Sequence, residues 1–87
     1  ITGNPVDATN NPGTCSVNVT SNTSWALSIA TPGGENADFR NSSDATGSGN
    51  KSGIIIDVYD FNNSQAIGVS VSAGSASDNV NIQNANA

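Results

Sequence analysis

Hydrophobic and polar residues alternate along much of this chain. In the stretch 15–31, Val17 and Val19 alternate with Ser16, Asn18 and Thr20; after the polar group 21–24, Trp25, Leu27 and Ile29 alternate with Ala26, Ser28 and Ala30. A side-chain period of two sends neighbouring residues to opposite faces of a strand, so that one face can be buried while the other stays wet. The pattern predicts two strands joined by a short turn, with Trp25 as the largest core anchor. The run 53–60 is the most apolar: Ile54, Ile56 and Val58 share one face, and Ile55, Asp57 and Tyr59 share the other. Apolar residues on both faces predict a strand covered on both sides, as in a central strand or a subunit contact. In 66–73, Ile67, Val69 and Val71 point inward, and Val80 and Ile82 mark a last short strand. Turn residues fill 61–65 and 74–78. No segment has a helical period. Five or six short strands separated by Gly, Pro, Asn and Ser predict an all-β domain, a small antiparallel β-sandwich or barrel.

Two stretches lack this alternation. Residues 1–14 hold two Asn-Pro steps and the turn signal Pro12-Gly13. They predict an extended N-terminal arm, lying along its own domain's edge or reaching a neighbour. Residues 15–87 then form a single domain. Within it, 32–53 reads as a long polar loop in which Phe39 is the one large apolar side chain between Glu35 and Ser52, expected to pin the loop to the core. Loops of that length are usually functional or covered by a partner.

Composition sharpens the picture. The 87 residues include fourteen Asn and thirteen Ser, and charged residues make up 10%. Ordinary soluble domains carry roughly a quarter charged residues. A polar but nearly uncharged surface suits a protein packed against copies of itself or coated with sugar. The net charge of −5 sets seven acids against Arg40 and Lys51, so there is no basic patch for nucleic acid or anionic membranes. No apolar run approaches the roughly 20 residues of a membrane helix, and no signal-peptide pattern opens the chain; if the protein is secreted, this is the mature form. Few large apolar side chains and no internal disulfide make a thin core. Strands borrowed from neighbours would close exposed edges and add buried surface together.

The segment 17–29, Val-Asn-Val-Thr-Ser-Asn-Thr-Ser-Trp-Ala-Leu-Ser-Ile, resembles the pattern V-x-V-T-S-N-x-x-W-x-L-x-V of secreted immunoglobulin-like β-sandwich domains on prokaryotic surfaces. These include donor-strand pilus and thread subunits and camelysin-like fibre proteins. The resemblance implies an immunoglobulin-like sandwich with an extracellular, structural role.

Candidate sites follow from chemistry. Asn18, Asn22, Asn41, Asn50 and Asn62 each begin an Asn-x-Ser/Thr sequon, a number near what composition alone gives; covalent glycans there would need accessible loops or outward strand faces. Cys15 is the only cysteine, open to an intermolecular disulfide or to burial as a small hydrophobe; no His, Lys or Arg lies nearby in sequence to lower its pKa. A calcium loop beginning at Asp60 fails, because Gln65 and Val71 stand where Gly and Glu are needed. Asp38 and Asp44 are loop carboxylates that could help to bind a cation. With no His, the usual base for Ser or Cys chemistry is missing, and Asp57 and Asp60 point to opposite faces of a strand. Tyr59 alone is a poor platform for sugar stacking. The expectation is therefore a non-enzymatic structural subunit of an extracellular filament, pilus-like thread or sheath. It has no metal or cofactor and forms a homo-oligomer by inter-subunit strand addition through the arm 1–14 or the tail 79–87. The alternatives are a cell-surface adhesion or glycan-binding domain using the loop 32–53, or a viral capsid or decoration protein.

Overall fold

The structure, a computed structural model, describes residues 1–5, 13–32, 34, 36–59 and 65–84. Its strands are β1 (Thr2–Gly3), β2 (Gly13–Val19), β3 (Ser24–Ala30), β4 (Asn36–Phe39), β5 (Thr46–Ser48), β6 (Lys51–Tyr59), β7 (Ala66–Ala73) and β8 (Ala76–Gln83). A single 3-10 turn, Ser42–Ala45, stands between β4 and β5, and no α-helix occurs among the described residues. The strands form two four-stranded antiparallel sheets, the first in the order β1-β2-β6-β4 and the second in the order β5-β3-β7-β8.

Alternation decides what lies between the sheets. The first sheet contributes Val17, Ile54, Ile56 and Val58, and the second Ile67, Val69 and Ile82, each at most 1% exposed. Each such side chain contributes about 1.5–3 kcal/mol by leaving water. Cys15, Val19, Trp25 and Leu27 complete this cluster, with Ile29, Phe39, Val71 and Val80 packed half-buried against it. The expected inward face of 17–29 is thus the core, except that Ile29 reaches only its margin. β6 is central in its sheet, and its outer face carries Ile55 half-buried and Tyr59 44% exposed.

The polar stretch 32–53 is built rather than looped. Phe39 does pack on the core, but as the last residue of β4, whose register pairs Ala37 with Val58 and Phe39 with Ile56. β5 then crosses to the second sheet and pairs with β3, Trp25 opposite Gly47. β6 begins at Lys51, two residues ahead of its apolar run. The β2–β6 register slips between Val17 and Val19, and Gly53 has φ of +73° at that irregularity. A glycine in the left-handed region lets the extra residue of a bulge turn without a Cβ clash.

The ends of the chain belong to the sheets as well. Thr2 and Gly3 pair with Asn18 and Val17 along the edge of their own domain, and residues 79–83 are part of β8, paired with β7. The rest of the expected arm, 6–12, and of the expected tail, 85–87, lies outside the described residues, apart from Gly13 and Thr14, which open β2.

Candidate functional site

Three places on this frame carry chemistry beyond the core. The first is the end of the domain around Trp25, which is 4% exposed. Its ring lies across Gly47, where a Cβ would sit 2.5 Å from Trp25 Cζ2. Its indole Nε1–H donates to the Gly49 carbonyl at 2.8 Å. Gly49 N–H donates to the Thr23 carbonyl, and Ser21 N–H donates to Asn50 Oδ1 at 3.0 Å. Residues 47–50 are thereby stitched to the turn between β2 and β3, and they satisfy the one polar atom that the buried indole owns.

The second place is the outer surface. On the first sheet, Arg40 grips Asp57 with two hydrogen bonds, Nη2 to Oδ1 at 2.7 Å and Nε to Oδ2 at 3.3 Å. The hydrogen bond to Arg40 and its positive charge hold the Asp57 carboxyl below the usual carboxylate range and push the Arg40 guanidinium up. Asp38 stands directly across from Asp57 on β4, and Asp44 is taken by Lys51 Nζ at 2.8 Å. No group of three or more metal-ligating side chains occurs among the described residues. On the second sheet, the cross-strand rows Ala26-Ser72-Ser77 and Ser28-Ser70-Asn79 bring only small, uncharged side chains to the outside.

The sequons are distributed over this surface. Asn18, Asn22, Asn41 and Asn50 are exposed, and Asn62 lies outside the described residues. Two of these side chains also act as acceptors: Asn18 Oδ1 takes the N–H of Gly53 at the bulge, and Asn50 Oδ1 takes that of Ser21. Cys15, by contrast, is 3% exposed in the core. Burial first, and the Asp57 charge second, push its thiol up to about 11. An intermolecular disulfide would require that thiol to leave the core, so the geometry is that of a small packed hydrophobe.

The third place is the seam where β1 lies over β8. A Cβ on Gly3 would come within 3.1 Å of Ile82 Cδ1 and 3.5 Å of Val80 Cγ1, so β1 lies close against both side chains. Asn4 extends the ladder with its side chain, its Oδ1 accepting Ser16 N–H at 2.8 Å. In this chain the Ile1 ammonium donates to Asp78 at 3.3 Å, and Asp78 also accepts the Asn79 N–H at 2.9 Å. The Asn79 bond first, then the ammonium, hold the Asp78 carboxyl below its ordinary range. Beside this seam is an open cavity of about 280 Å3, floored by Val19, Val71 and Ala73 and rimmed by Thr20, Ser21 and Thr23.

Sequence reasoning found Trp25 and missed its latch, although a glycine in the polar stretch, Gly47, was the available signal. Nothing in the sequence marks Asn4 or Asn50 as a backbone partner. Comparison of the chain with protein-family models, curated proteins and solved structures finds no match in any of the three.

Proposed function

We propose that this chain is an extracellular, non-enzymatic structural subunit with an immunoglobulin-like sandwich, joining copies of itself into a filament, thread or sheath by β-strand addition. The observation that carries the reading is the seam: two residues of β1 hold the edge position beside the seven-residue β2 and cover Val80 and Ile82. A core closed by so short an edge strand can be closed equally well by the same segment of a neighbour. The uncharged outer face of the second sheet supports the reading, because it offers copies no like-charge repulsion. The fold assignment rests on strand order. With the three-residue β5 set aside, β1-β2-β6-β4 opposite β3-β7-β8 runs in the ABED and CFG order of a constant-type immunoglobulin domain. Exposure of Asn18, Asn22, Asn41 and Asn50 supports glycosylation, which intact mass of the secreted protein would register.

Deletion of residues 1–5 tests the arm. The shortened chain should lose polymerisation, and a free peptide of residues 1–12 added to the unaltered chain should fill the slot beside β2 and suppress its polymerisation. A shortened chain that polymerises like the full one excludes the arm. The cavity beside the seam favours a second reading, an adhesion or glycan-binding domain: its apolar floor and hydroxyl rim are the makings of a ligand site, near the small end of the usual size range. A stable monomer that binds a glycan would support it, and closed shells under the electron microscope would support a capsid protein.

A further inference from the structure

Among the described residues, the other edge strands are short. Along the first sheet β1 has two residues and β4 four, with Asp38 on β4 and Arg40 just after it; β5, at one edge of the second sheet, has three. β8 differs. It is eight residues long, its register against β7 runs without a slip from Ala66↔Gln83 to Ala73↔Ala76, and no described strand pairs with its other side. Natural edge strands are blunted by Lys, Pro, a bulge or inward charge. β8 has no Lys, Arg or Pro, and its one charged residue is Asp78.

The backbone phase of that edge follows from the hairpin. Ala73 and Ala76 close a two-residue turn, which makes them a hydrogen-bonded pair, and hydrogen-bonded and open pairs then alternate along the ladder. Ser77, Asn79, Asn81 and Gln83 therefore present their N–H and C=O groups away from β7. One bond agrees independently with this phase: the Asn79 N–H is taken by the carboxylate of Asp78 instead of a ladder carbonyl.

We infer that the edge of β8 away from β7, which no described strand pairs, is a self-pairing surface, on which β8 of a second copy adds antiparallel about a two-fold axis at Val80 to join two second sheets into one. That register sets Asn79 opposite Asn81 and Ser77 opposite Gln83, so open amides meet open carbonyls. The two Asp78 residues then lie opposite Ile82 of each partner, four residues apart along the strands. At about 3.4 Å per residue this is roughly 14 Å, beyond the roughly 8 Å screening length at physiological salt. The row of uncharged Ser and Asn side chains continues across the new contact. Asp78 is the guard of the edge: it must release Asn79 N–H before the partner's carbonyl can take it. The contact adds to the subunit reading a dimer interface distinct from the arm's slot beside β2.

Sedimentation of the full chain over a range of concentrations tests this, with Asn81→Pro and Asp78→Ala alongside. Asn81→Pro removes an outward N–H and no bond to β7, and should weaken dimerisation at least tenfold; Asp78→Ala should strengthen it several-fold. Amide hydrogen exchange on the unaltered chain gives a readout that needs no variant: the N–H groups of Asn81 and Gln83 should exchange at least tenfold more slowly in the associated state than at high dilution. A chain that stays monomeric at every concentration overturns the inference, as does association that leaves those amides unprotected. Protection within filaments that contain no two-fold dimer also overturns it, by giving the edge to an incoming arm. Dimers that never extend into filaments support this contact while refuting the filament reading, and filaments unaffected by Asn81→Pro do the reverse.

Discussion

The two side seams of the domain are closed in opposite ways. Around Trp25, the short strand β5 is held by a buried ring that admits only glycine at 47, by the indole bond to Gly49, and by Asn50 on the opposite turn. Along β1 and β8, closure rests on two strand pairings, the two bonds that Asn4 Oδ1 accepts from Ser16, the exposed bond from the Ile1 ammonium to Asp78 and the press of Gly3 on Ile82. The first seam is fastened by interactions that no other segment of chain could reproduce. The second is fastened mainly by backbone, which any strand of suitable shape supplies. On the proposed reading, the fixed side is the domain's inside seam and the generic side is its assembly seam.

Mutations can break this contrast. The largest effect is expected at Trp25→Ala, which should cost about 3–5 kcal/mol by cavity formation and leave the Gly49 carbonyl without its donor. Equilibrium denaturation with a check that the slope is unchanged would measure it. Gly47→Ala comes next, at about 1–3 kcal/mol, since the added methyl would have to displace the ring. Gly3→Ala should cost less, because the neighbour it meets is the movable end of Ile82. If Gly3→Ala proves more damaging than Gly47→Ala, the assignment of fixed and generic seams is reversed.

Two titrations sharpen the comparison. Folding raises the Cys15 pKa from an ordinary 9.0 to about 11, so the buried thiol contributes stability that is fully present below pH 9 and lost as pH rises to 11. Alkaline denaturation over that window should flatten in Cys15→Ala, and the native chain should resist a thiol reagent at neutral pH. The Asp57 carboxyl shifts the other way. Its pairing with Arg40 adds stability above the ordinary carboxylate pKa and loses it as pH falls through the depressed value. Arg40→Ala should therefore be the mildest of these changes, visible at neutral pH and absent in acid.

What the sequence made legible was whatever alternation alone determines. β2, β3, β6, β7 and β8 each bury a row of Val, Ile, Leu or Trp, and the period of two exposes that row. β4 and β5 were hidden in the polar stretch because their pairing comes from elsewhere: β4 has a single Phe39, and Thr46–Ser48 has no large apolar residue and is placed by the Trp25 ring above Gly47. β1 was read only as an arm, since two residues cannot show a period. Of the candidate site, Trp25 was legible as the largest apolar residue, whereas the seam over Val80 and Ile82 depends on a Gly3 contact across 79 positions of chain, which no local pattern announces.

Electron microscopy of the purified 87-residue chain beside the chain lacking residues 1–5 tests the central claim most directly. The account predicts regular filaments from the first, none from the second, and none from the first once a free peptide of residues 1–12 occupies the slot beside β2. Dispersed 8.7 kDa particles from both, or the same filaments from both, would contradict it.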